Sequence, residues 1–178
     1  MEVTNYYKII SIVVGALFIS ATVFSIMSGL FFGSIYEADY LSAVAANENQ
    51  VLMGVILLLT ALASVVAIPI AIFPVLRRHS ESLALGYVGA RIFEGVFFAV
   101  GAISLLSLVS LSREFVKAGS PVAYFQTTGS MLIAQFNWSS ILLDFPFTIS
   151  ALILNYVFYT SKLVPKWLAG LGLVGGGL

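Results

Sequence analysis

The segment VLMGVILLLTALASVVAIPIAIFPVL, residues 51–76, carries no charged side chain from end to end. A bilayer's hydrocarbon core is ~30 Å thick and takes ~20 apolar helical residues to cross. The segment is longer than that. A backbone in lipid must pair its own N–H and C=O groups, so the stretch reads as a transmembrane helix. Three further long apolar stretches accompany it, at about 9–32, 83–111 and 138–159. The chain is therefore expected to be all-α, a polytopic bundle with four complete spans in one transmembrane domain over residues 1–178.

Composition agrees. Of 178 residues, 60% are hydrophobic and 9% charged, against about 25% charged in soluble domains. Mean hydropathy is +1.06. Lys plus Arg and Asp plus Glu number 8 each, so no net field attracts nucleic acid. With no cysteine, disulfides, thiol nucleophiles and zinc–cysteine sites are excluded. The run after Lys8 extends ~24 residues, beyond the ~7–15 of a signal-peptide core, and reads as a span.

Two segments fit less simply. Residues 122–136, VAYFQTTGSMLIAQF, follow a polar turn and place Val122, Phe125, Gly129, Leu132 and Phe136 on one helical face. This predicts an interfacial amphipathic helix, separated from the fourth span by a break near Asn137. The alternative, one kinked helix from 122 to 159, is ~38 residues and too long for a single crossing. At the other end, WLAGLGLVGGGL (167–178) begins a fifth apolar run. The ~16 Å of helix from Leu168 to Leu178 cannot cross a bilayer, so it is expected to be a partial span. Truncation is favoured over a re-entrant stub, because nothing polar ends the run.

By alternation Lys8, Arg77, Arg78, Lys162 and Lys166 fall on one side. Arg113 and Lys117 fall on the other, together with Glu37, Asp39, Glu48 and Glu114. The positive side is the cytoplasmic one, which predicts a cytoplasmic N-terminus in the cytoplasmic membrane.

Three charges lie inside spans: Arg91 and Glu94 in the third, Asp144 in the fourth. Each costs ~2.5–3.5 kcal/mol at a helix centre even on the mildest scale, so they are expected to face protein or water. Tyr87, Arg91, Glu94, Phe98 and Gly101 share one helical face. Asn137, Ser140, Asp144, Thr148, Ala151, Asn155 and Tyr159 share another. The two stripes predict a polar seam. Arg91 pairs with Glu94 and hydrogen-bonds Asn155. Asp144 is left without a named partner, beside Pro146, which frees the carbonyl of Leu142.

Two readings of the seam stand. Arg91, Glu94, Asp144, Asn155 and Tyr87 bind a small polar or amphiphilic ligand or relay protons. Alternatively the ion pair only locks helices together in a structural or accessory subunit. No catalytic residue and no metal-ligand set is read, and any cofactor is unknown. The expected partners are the lipid bilayer, with a second copy or a larger membrane complex as further options. Small residues Gly54, Ala61 and Ser64 in the second span read as close helix packing. The RRH at 77–79 reads as a solvated loop with a weak signal for anionic lipid.

The segments ANENQV (46–51), FPVLRRHSESLALGYVGARIFEG (73–95), LSREFVKAG (111–119), YFQTTGS (124–130) and SKLVPKWL (161–168) together resemble the bacterial membrane-protein family called domain of unknown function 4386. The resemblance implies a polytopic helical protein of the cytoplasmic membrane and no established activity. It carries Asn47, Glu48, Asn49, Arg91 and Glu94 as motif residues. Members of that family usually continue through at least one more helix. Many carry an acidic residue in the second span, where this chain has Leu58.

Overall fold

A computed structural model describes residues 2–119 and 123–175. Among them stand α1 (Glu2–Gly29), a 3₁₀ turn (Gly33–Tyr36), α2 (Tyr40–Ala46), α3 (Glu48–Leu76), α4 (Glu81–Ala118), α5 (Ala123–Ser161) and α6 (Lys166–Gly175), with no strand. The fold class is all-α, as the apolar runs require. Four helices, α1, α3, α4 and α5, are long and apolar enough to cross a membrane. The turn at Ser120 and Pro121, Val122 and residues 176–178 lie outside the described residues.

Local chemistry sets the helix ends. Ser80 Oγ accepts the Leu83 N–H at 3.3 Å and Glu81 occupies the first turn, both favourable at a helix N-terminus. Gly119, at φ +62°, ends α4 in the left-handed conformation that glycine takes most readily. The Asn47 side chain donates to the Ala43 carbonyl at 2.9 Å and closes α2, while the Asn47 carbonyl accepts the Val51 N–H and opens α3. Pro69 and Pro74 stand inside α3 and Pro146 inside α5.

The expected break near Asn137 is absent, because α5 runs unbroken from Ala123 to Ser161. A polar side chain breaks a helix when it competes for its own backbone. Here Asn137 Oδ1 instead accepts the Tyr36 hydroxyl at 3.0 Å. Ser139 and Ser140 both donate back to the Phe136 carbonyl, at 2.7 and 3.1 Å, within the helical turn. Residues 123–136 are thus the first part of α5, not a separate helix. The length objection fails because a helix can continue past the apolar layer, as α4 also does in its polar end SREFVKA.

The chain forms two compact units. The first combines Met1–Ile19, Ala63–Val96 and Leu142–Leu178. Its buried residues include Val65, Ile68, Leu76, Tyr87, Val157 and Ala169. Gly86 faces Ile153 of α5, and a Cβ there would meet Ile153 Cδ1 at an ordinary 3.4 Å.

The second unit combines Ser20–Leu62 and Phe97–Ile141. There the 3₁₀ turn and α2 bury Ile35, Leu41 and Val44. The Phe32 ring meets Phe136 edge-on at 5.5 Å, and the Tyr40 hydroxyl donates to the Gln126 carbonyl at 2.7 Å. The Arg113 guanidinium grips both Glu48 carboxylate oxygens.

Candidate functional site

The charged pair lies in the first unit. Arg91 Nη1 donates to Glu94 Oε2 at 2.9 Å, one helical turn away on α4. The two side chains are 4% and 3% exposed, so the pair is sealed from its surroundings. This is the partnership expected from the i,i+3 spacing.

Of what surrounds the pair, only Tyr87 was legible from spacing. The guanidinium lies among three aromatic rings, 5.5 Å from the centroid of Phe18 on α1, 5.6 Å from Tyr87 on α4 and 5.5 Å from Phe147 on α5. A cation within ~6 Å of a ring gains about 0.5–2 kcal/mol, the upper figure applying to desolvated sites such as this one. One side chain therefore ties α1 and α5 to α4. This matters most for α1, whose apolar stretch is only 11% buried.

Two of the pair's polar neighbours are unfilled. Arg91 Nε and the Tyr87 hydroxyl are both buried and neither has a hydrogen-bond partner among the described residues.

The expected seam is revised on α5. Asp144 is exposed at the protein surface. Its neighbours Ile141, Leu142 and Phe145 are exposed too, at 58%, 49% and 67%. Asn155 does not reach Arg91: its side-chain amide donates to the Ala151 carbonyl at 2.8 Å, and its head lies against Gly172 of α6.

The buried side of α5 is instead Ser139, Pro146, Ser150, Leu154 and Val157. The physical reason is self-sufficiency. Ser139 and Ser150 donate to Phe136 and Phe147 carbonyls of their own helix, at 2.7 and 2.8 Å, so burial leaves them satisfied. A carboxylate has no donor of its own to offer. The serine spacing is visible in the sequence, but the run from Asn137 to Tyr159 contains more polar atoms and is the more conspicuous stripe.

The motif residues divide between two places. Arg91 and Glu94 make the buried pair. Asn47 joins α2 to α3, and Glu48 receives Arg113 in the second unit. The last contact links two of the segments that carried the resemblance, ANENQV and LSREFVKAG.

These features define a membrane protein of helical-bundle class with a buried, aromatic-caged ion pair. The chain belongs to the family described as Domain of unknown function (DUF4386), whose model matches residues 13–178. No curated protein and no solved structure matches it.

Proposed function

We propose that the chain is a non-enzymatic structural or accessory membrane protein in which Arg91 and Glu94 lock helix packing. The observation that carries this reading is the closure of the pair: each charge is met by the other, and three rings from three helices cover the guanidinium. A site that binds or relays needs a path to the charge. The test is proton flux in vesicles reconstituted with the full chain under a pH gradient. A lock gives no flux above protein-free vesicles, with or without Glu94→Gln. Flux that Glu94→Gln removes would overturn it.

One observation favours the second reading, a site for a small polar ligand: the unpartnered Arg91 Nε and Tyr87 hydroxyl. Tyr87→Phe separates the two. A buried hydroxyl with no partner costs about 1–3 kcal/mol, so under the lock reading its removal raises stability by up to that amount. If the hydroxyl holds a bound ligand or water, the same change lowers stability. Denaturant unfolding in detergent reads the sign.

The N-terminus is assigned to the cytoplasmic side of the cytoplasmic membrane. What supports this is the gathering of Lys8, Arg77, Arg78, Lys162 and Lys166 at the helix ends that share that side. The chain has no cysteine, so cysteines introduced at Ser80 and Lys117 give a clean test. They are expected to label from opposite faces of intact vesicles. Labelling from one face would remove the four-span arrangement.

A further inference from the structure

A groove in the first unit does not involve the ion pair's charges. It is about 370 Å³ and lies between α1, the end of α3 and the end of α5. Ile10, Val14 and Gly15 form one wall, with Ile72, Val75 and Leu163 opposite. That volume is within the roughly 300–1,000 Å³ of small-molecule sites. Along α1 the lining runs from Tyr7 to Phe18. At 1.5 Å per residue this is about 16 Å, close to half of a ~30 Å hydrocarbon core. The groove therefore has the length of one leaflet.

Its mouth is polar. A second hollow of about 290 Å³ shares Tyr7, Val75 and Leu163 with the groove and is walled by Arg78 and His79. Arg78 stacks on the Tyr7 ring, 5.2 Å from its centroid. It has no carboxylate partner among the described residues. Lys162 ends α5 in the left-handed conformation, φ 56°, and the turn it makes brings Leu163 and Val164 to the groove. A non-glycine residue in that conformation costs about 1–2 kcal/mol, so the turn is held by its surroundings.

We propose that this groove holds one acyl chain of an anionic phospholipid, with the lipid phosphate against Arg78. The apolar lining fits the chain and the leaflet length fits its depth. The unpaired guanidinium at the mouth fits the headgroup, since arginine's planar donors match phosphate. This goes beyond the lock reading and does not depend on it.

The structure also supplies the variant that tests it. A Cβ built on Gly15 meets no other atom within 4 Å, and Gly15 lines the groove, so a leucine there is the variant that takes up groove space. The full chain is purified in neutral detergent and titrated with phosphatidylglycerol or phosphatidylcholine of the same acyl chains. Native mass spectrometry counts the lipids retained.

The wild-type chain is expected to prefer phosphatidylglycerol by about fivefold, the attraction of one surface arginine. Arg78→Gln loses that preference and leaves phosphatidylcholine binding unchanged. Gly15→Leu weakens both lipids while the melting temperature holds. Ser11→Leu, one turn earlier on the same wall, serves if Gly15→Leu does not fold. Unchanged retention in the filled-groove variants would overturn the proposal, as would a preference that survives Arg78→Gln. So would a change of oligomeric state without a change in lipid retention, since the groove would then seat a second copy.

Discussion

Arg91→Leu is expected to destabilise the protein by about 3–5 kcal/mol, because it strands Glu94 as a buried charge without a partner. The loss has a second part. Phe18, Tyr87 and Phe147 face the guanidinium at 5.5–5.6 Å, and leucine cannot replace a cation over three rings. Glu94→Leu alone should cost a similar amount by stranding Arg91. The double variant is the informative one. Replacing both partners of a buried pair by apolar residues of similar volume is often neutral or stabilising. Arg91→Leu with Glu94→Leu should therefore recover most of the loss, and SDS or urea unfolding of all four proteins gives the coupling. Recovery short of wild type measures what the aromatic cage contributes. A double variant as damaged as either single one would show that the pair does more than cancel its own burial.

Gly54→Leu is expected to cost about 1–3 kcal/mol or somewhat more, the usual range for overpacking. A Cβ at Gly54 runs into the edge of the Phe32 ring and comes within 2.9 Å of Phe31 Cβ. Phe32 cannot simply swing away. It is 4% exposed and rests edge-on against Phe136. Gly89 on α4 is the internal control, since a Cβ there meets nothing within 4 Å. Gly89→Ala should be neutral or stabilising by about 0.5–1 kcal/mol, the helix-propensity gain alone. Thermal melts in one detergent compare the two. The contrast tests a general point about lipid: apolar burial there has little hydrophobic drive, so close fit between small residues and rings carries more of the stability.

Much of the site was legible because helical spacing is local. Arg91 and Glu94 are three residues apart on one helix, and that spacing alone puts them in reach of each other. Asn155 and Asp144 were assigned by a shared polar stripe on α5, which groups residues on one face but does not say which face of the helix turns inward. A turn of α5 about its axis by a fraction of 360° decides whether Asp144 or Ser150 faces inward. Polar content pointed to Asp144. The structure buries Ser150, which satisfies itself, and leaves Asp144 at the surface. The continuity of α5 was misjudged for a related reason. Asn137 has the composition of a break, and only its remote partner Tyr36 shows that its side chain is engaged elsewhere.

The amino-acid sequence by itself determined the medium and the elements. Apolar runs longer than a bilayer is thick read as helices, and the i,i+3 pair follows from the helix alone. Tertiary structure decided which faces meet. Phe18 and Phe147 come from helices distant in sequence from Arg91, and of the three rings only Tyr87, four residues before it on α4, is brought to the guanidinium by local spacing. In a chain this apolar nearly every face is greasy enough to bury, so hydrophobic pattern cannot choose among them. The choice fell to fit, to glycines under rings and serines bonded to their own turns, and those are properties of the packed helices together.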